Sequence, residues 1–167
     1  VMNRSGNGSV TKGNRTLTSQ AIDYYVPSNT GKYTSNGRLE DPKNVLTSIV
    51  GEYNFNTDNA VFTNNVDLVN SRDNYVIHTN KLLYNTRTNI AKLVEEAEIT
   101  SDENKIITSN GDYNTATEKA NLYVKNGVQP KLFAKDDRTL EGDSIHYDRH
   151  TGEGTAIGNV TVNDPKH

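Results

Sequence analysis

The sequence predicts an all-β protein, an open solenoid of about five strand-turn-strand units, and three observations carry that prediction. A tyrosine recurs about every 30 residues with apolar and small residues at fixed distances from it. The segment after each of these tyrosines is rich in turn formers. Apolar residues make up only 32 % of the 167-residue chain, below the roughly 45–50 % of an average globular domain. So low a fraction suits a thin, extended interior better than a sphere. Disorder is the other reading of a low apolar content, but a net charge of −3 and nine tyrosines speak against it.

The markers are Tyr24, Tyr53, Tyr84, Tyr113 and Tyr147, spaced by 29, 31, 29 and 34 residues. Seven residues before each stands Leu17, Leu46, Ile77, Ile106 or Leu140. Seven after each stands a small residue: Gly31, Ala60, Ala91, Ala120 or Gly154. Nine after comes Tyr33, Phe62, Leu93, Leu122 or Ala156, and fifteen after comes Leu39, Leu68, Ile99, Val128 or Val162. The repeat sets the architecture.

Within a unit, the first strand (LTSQAIDYY, LTSIVGEYNF, LEGDSIHYD) is made of residues that suit a pleated surface. Its two apolar positions, seven residues apart, have opposite parity, which requires a bulge or corner between them. The small residues five before the marker (Ser19, Ser48, Thr79, Thr108, Gly142) mark the place. The turn follows, as VPSNTG, NTDN, NTRTN, NTATEK or DRHTGEG. The second strand then alternates, with Lys32, Val61, Lys92, Asn121 and Thr155 between the inner positions. In NIAKLVEEAEIT a helical spacing of Ile90, Leu93, Val94 and Ala97 competes. Its alignment with AVFTNNVDLV, whose β-branched and Asn residues make a poor helix, predicts strand. Both ends read as partial units, with Val10 equivalent to Val162, so residues 1–167 are expected to be one domain cut from a longer array.

Charges are scattered, without the basic stripe that nucleic acid needs. No cysteine is present, which excludes a disulfide framework and thiolate chemistry. No apolar run is long enough to span a membrane, and VMNRSGNGSV carries no signal-peptide core. His146 and His150 form an H-x-x-x-H spacing without a third ligand. Asp136, Asp137, Asp143 and Asp148 lack the spacing of a calcium loop and read as solvated turn residues. No nucleophile elbow, P-loop or dinucleotide fingerprint occurs; the glycines of GEGTAIG belong to a repeat. Neither a cofactor, a metal nor a catalytic residue is expected.

The units LTSIVGEYNFNTDNAVFTNNVDLV and LEGDSIHYDRHTGEGTAIGNVTV resemble the repeat of the OstA/LptA family of lipopolysaccharide carriers. That repeat is a strand ending in Tyr-Asp or Tyr-Asn, a polar turn, a small residue, then Gly-Asn-Val-x-Val. Gly158, Asn159, Val160 and Val162 carry the motif most fully; the other units hold Asn36-Gly37, Asn65-Val66, Glu96-Ala97 and Asn126-Gly127. The resemblance spans essentially the whole chain, and its departures suit a divergent, OstA-like member. It implies a β-jellyroll of stacked V-shaped strand pairs, a periplasmic location and a non-enzymatic role in carrying lipopolysaccharide to the outer membrane. It also implies lipopolysaccharide as ligand and end-to-end pairing with itself or with other Lpt-type jellyrolls.

The four apolar columns would then be the inner groove. Their candidate lipid contacts are Leu17, Leu46, Ile77, Ile106 and Leu140; the five marker tyrosines; Tyr33, Phe62, Leu93, Leu122 and Ala156; and Leu39, Leu68, Ile99, Val128 and Val162. The small column beside the markers would leave space for an acyl chain. From the residues alone two alternatives stay open. The columns can form a packed solenoid core, or the outer face can bind polysaccharide as a structural or adhesive module.

Overall fold

The computed structural model describes residues 2–102 and 104–165; Val1, Glu103, Lys166 and His167 lie outside that range. Every regular element in it is a strand. The first nine are β1 (Met2–Lys12), β2 (Arg15–Tyr25), β3 (Thr30–Tyr33), β4 (Gly37–Glu40), β5 (Val45–Ser48), β6 (Val50–Asn54), β7 (Asn59–Asn70), β8 (Tyr75–Asn85) and β9 (Ile90–Leu93). The remainder are β10 (Ala97–Ser101), β11 (Asn104–Thr108), β12 (Gly111–Asn114), β13 (Lys119–Tyr123), β14 (Lys131–Ala134), β15 (Thr139–Glu141), β16 (Ser144–Asp148), β17 (Glu153–Ile157) and β18 (Thr161–Asn163). The ambiguous stretch NIAKLVEEAEIT is β9 and β10, as its repeat partners require.

All strand pairs are antiparallel and belong to one sheet folded lengthwise into two walls. One wall runs β1-β2-β4-β5-β7-β8-β10-β11-β14-β15-β18. The other runs β1-β2-β3-β6-β7-β8-β9-β12-β13-β16-β17. Strands β1, β2, β7 and β8 pass through the fold line unbroken, while the others stop there and restart. In section the protein is a V.

The corner that the parity conflict required lies along this fold line. In β2 the inward residues are Leu17 and Ser19, then Ile22, a slip of one residue. In β7 the register slips between Thr63 and Val66, with Asn64 and Asn65 both at positive φ. Four of the five small residues placed there by the sequence hold carbonyls at the bend with their hydroxyls. Ser19 donates to Asn36 O (2.7 Å), Ser48 to Val50 O (2.8 Å), Thr79 to Glu96 O (2.9 Å) and Thr108 to Asn110 O (3.0 Å). All four are buried, so each bond satisfies a carbonyl that the broken ladder would otherwise orphan. The fifth copy has Gly142.

At the tips of one wall the chain turns back through a left-handed residue at a constant place, five after each marker: Asn29, Asp58, Asn89, Glu118 and Gly152. Asn54, Asn85 and Asn114 brace these turns, each side-chain oxygen accepting two backbone N–H groups at 2.9–3.1 Å. Asn, Asp and Gly tolerate such dihedrals. Glu118 is the costly exception.

Candidate functional site

Register turns the sequence columns into ladders. On the first wall one file of apolar side chains runs Val10, Leu17, Leu39, Leu46, Leu68, Ile77, Ile99, Ile106, Leu132, Leu140, Val162, each paired with the next. The positions seven before and fifteen after the marker are therefore one file, contributed alternately by up and down strands. On the second wall the markers alternate with the small residues: Tyr24, Gly31, Tyr53, Ala60, Tyr84, Ala91, Tyr113, Ala120, Tyr147, Gly154. A third file, nearer the fold line, reads Tyr33, Gly51, Phe62, Leu82, Leu93, Gly111, Leu122, Ile145, Ala156.

Fifteen of the twenty candidate groove residues are buried on these inner faces. Tyr24, Leu140 and Ala156 are half-buried beside them. Val128 is a correction. It is 61 % exposed in a tight turn where Lys125 and Val128 bridge, and Leu132 takes its rung of the file. The spacing of 34 rather than 29–31 residues was the signal: the fourth unit carries four extra residues at its bend. Val162 is 64 % exposed although it stands in file opposite Leu140, because β18 is the last described strand of its wall. Ile22, Leu82 and Ile145 were missed. They stand two before the marker, where other copies have Gly51 and Gly111, so no single residue type marked the position.

The middle of the V is filled. Leu17, Tyr33, Phe62, Leu93 and Leu122 have no exposure, and the small residues receive side chains from the opposite wall. A Cβ at Gly31 would stand 3.2 Å from Leu17 and 3.3 Å from Phe55; one at Gly154 would stand 2.9 Å from Leu132. The small column thus accommodates the protein's own leucines. Towards β17 and β18 this packing thins. A cleft of about 300 Å³ opens between the walls there, lined by Leu132, Leu140, Gly154 and Val162 with Asn104 and Arg138 at its rim.

Across the mouth the walls meet through side chains. Lys12 reaches the carbonyl of Phe55 and, at 3.4 Å, the carboxylate of Asp58; Arg15 donates to the carbonyl of Thr86. Asn104 donates to the Tyr147 hydroxyl at 3.1 Å, and the rings of Tyr75 and Tyr113 lie 5.1 Å apart. No backbone hydrogen bond crosses from tip to tip among the described residues. The marker tyrosines put their rings inside and their hydroxyls at this mouth, Tyr53 on Thr86 (2.5 Å) and Tyr84 on Thr115 (2.9 Å). Burial pushes the Tyr33 and Tyr84 hydroxyls up to about 12, so both stay neutral.

The residues weighed for metal chemistry are engaged elsewhere. His146 Nδ1 lies 2.7 Å from Asn121 Oδ1, and His150 Nε2 lies 2.8 Å from Glu118. Asp143 accepts from Gln129 and Asn159, Asp136 from Arg138, and Asp148 caps the backbone of His150.

Comparison with proteins of known structure finds the same fold in LptH of Pseudomonas aeruginosa, described as the LptA homologous periplasmic component of the conserved lipopolysaccharide transport device. The similarity has a TM-score of 0.62 at 13 % identity and covers 72 % of this chain and 94 % of LptH. Among curated proteins there is no match. A family model described as OstA-like protein matches residues 3–77 and 71–134, together most of the chain. The V-shaped stack, its tyrosine-marked repeat and that match establish that the chain belongs to the family of OstA-like proteins.

Proposed function

We propose that this protein is a non-enzymatic carrier of lipopolysaccharide that works in the periplasm by sheltering acyl chains between its two walls. The observation that carries the reading is the first-wall file of Leu, Ile and Val. It has no polar rung over its whole length and surfaces in the open cleft beside β18. Family membership and the fold shared with LptH support the same reading. An acyl chain lying along such a file gains about 0.8 kcal/mol per buried CH₂. Because successive rungs are alike, a shift by one strand changes little, which is what a conduit requires.

The packed middle sets the mechanism. A lipid enters where the walls already stand apart, at Leu132, Leu140 and Val162. Farther along it must displace the leucines that fill the gap. The contacts that hold the mouth shut are side-chain contacts, the neutral hydrogen bonds contributing about 0.5–1.5 kcal/mol net and those from Lys12 and Arg15 about 1.5–3 kcal/mol, so the walls can part without breaking a strand ladder. Strand addition at the outer edges of β17 and β18, which pair with no further strand among the described residues, is how copies would join end to end. The polysaccharide alternative would need a row of outward aromatics. Tyr25 and Tyr123 are scattered, and Phe133 lies beneath Lys105 and Lys131.

The test is a photo-crosslinking residue at Leu140, which faces the cleft, against one at Glu141, which faces out and pairs with Lys131. Incubated with lipopolysaccharide, the protein should be labelled at position 140 and spared at 141. Equal labelling, or none, would refute the carrier reading.

A further inference from the structure

Glu118 occupies the least comfortable position in the repeat. It stands five residues after its marker in left-handed backbone (φ 59°), where the other units place Asn, Asp or Gly. It is also buried, with 1 % of its surface exposed. An acid kept where both backbone and burial oppose it points to a role. Asp58 holds the same place in its own unit and is balanced by Lys12 and Arg87. Glu118 is balanced on one oxygen only. Its Oε2 lies 3.4 Å from Arg149 Nε and 2.8 Å from His150 Nε2, whereas Oε1 is buried with no donor among the described residues.

What reaches Glu118 from the facing wall is another acid. Glu118 lies on the second-wall tip turn between β12 and β13, and Asp73 on the first-wall tip turn between β7 and β8. The backbone N–H of Asp73 is held by Asn70 Oδ1 at 2.8 Å, and its carboxyl is a hydrogen-bond partner of Glu118. Tyr75 and Tyr113 make the same crossing, and burial pushes both hydroxyls far above the ordinary tyrosine value, so neither supplies a charge. All four strands are paired on both sides, so the contact belongs to the interior of the stack. Two carboxyl groups hydrogen-bond only when one of them keeps a proton. Burial and the bond to Asp73 raise the pKa of Glu118, and Arg149 and His150 oppose the shift without reversing it.

We propose that Glu118 and Asp73 form a proton-sharing clasp across the mouth, which holds the walls together while it keeps one proton and drives the tips apart once that proton leaves. With the proton present, the carboxylic O–H of Glu118 donates from Oε1 to Asp73, while Oε2 stays with Arg149 and His150. On its loss two like charges face each other in a partly buried contact, with both cations on one side of the pair. The closed state binds the proton more tightly than the open one. Closure is therefore complete below the ordinary carboxylate value and is lost as pH rises through the raised value of the pair. The mouth contact at Asp58 runs the other way and is lost in acid. The clasp governs access to the bore whatever the bore carries, so its test uses no lipid.

The chain has no cysteine, so spin labels on Ser71→Cys and Ala116→Cys report the tip-to-tip distance alone. Both positions are exposed, on the turns that carry Asp73 and Glu118. Pulsed electron–electron distance measurements from about pH 4 to about pH 9 should show one short population in acid. A longer and broader one should replace it, with a midpoint above the ordinary glutamate value of about 4.3. D73N, whose amide donates to Glu118 without a shared proton, should keep the short population throughout. E118Q should do the same by donating in the opposite direction, and it decides the question if melting temperatures show that D73N does not fold. A wild-type distance that ignores pH would overturn the clasp. So would a shift that survives in either folded variant, since the titration of His150 would then be its source.

Discussion

The Gly51→Ala substitution tests the packing of the fold line with one methyl group. Gly51 pairs with Tyr33 on one side and Phe62 on the other, and its dihedrals suit any residue. The obstacle is the Tyr33 ring, which lies in the space that a Cβ would take. The added carbon would stand 2.4 Å from Cζ and 2.5 Å from Cε1, where carbon atoms pack at about 3.5–4.0 Å. The ring cannot yield easily. It is fully buried, its hydroxyl is held to Ser48 at 2.5 Å, and a Cβ at Gly37 would meet the same ring at 2.4 Å. Overpacking of this kind costs about 1–3 kcal/mol, and with no free direction the cost belongs at the upper end, about 3 kcal/mol. For a chain of this size that lowers the melting temperature by about 6–12 °C. Urea titrations followed by far-UV circular dichroism would measure it. The control is the same change in a Tyr33→Ala background, where the clash is gone and alanine should be neutral or slightly stabilising in a strand. Additive effects in this cycle would refute the assignment of the cost to the ring.

Three further outcomes are expected from the same measurements. Phe62→Ala should cost about 3–5 kcal/mol as a buried cavity, while Val128→Ala, at an equally apolar sequence position, should change stability by less than about 0.5 kcal/mol. Thr79→Val keeps the shape of the bend but removes the bond to Glu96 O, and a loss of about 1–3 kcal/mol is expected from the orphaned carbonyl; no loss would mean that water reaches the corner. At Asp58, burial raises the carboxyl pKa, but hydrogen bonds from Tyr53, Arg87 and Lys12 outweigh it and hold the folded value below the ordinary one. Its contribution is then fully present above about pH 4 and fades as pH falls through the folded value. Asp58→Asn, which also tolerates the left-handed turn, should be less stable than wild type by about 1–3 kcal/mol at neutral pH, and the gap should close as the pH falls through the lowered folded value.

Much of this architecture was legible because the repeat averages out local ambiguity. NIAKLVEEAEIT reads as helix alone and as strand beside its copies, and the tertiary register enforces the latter. The bend was visible as a parity conflict, and Ser19, Ser48, Thr79 and Thr108 named its place before any hydrogen bond was known. Two things stayed hidden. Fixed offsets treat the chain as a ruler, so the four residues inserted after Tyr123 moved Leu132 out of its column and put Val128 there instead. A column of Gly and Ala also says only that a side chain is small. Whether the gap is left for a ligand or filled by Leu17 from the facing wall depends on how closely the two walls approach, and no periodicity reports that distance.

The detour at Lys125–Val128 leaves the stack intact on both sides: β13 pairs with β16 and β14 with β11 as though nothing had been added. Extra residues at a crease are carried outside the load path, since each rung answers to its lateral neighbour and not to the contour length between layers. Such a protein can therefore drift in period while keeping its bore aligned. The creases, rather than the tips that meet across the opening, are where loops, tags or recognition segments can be spliced in without disturbing the stack.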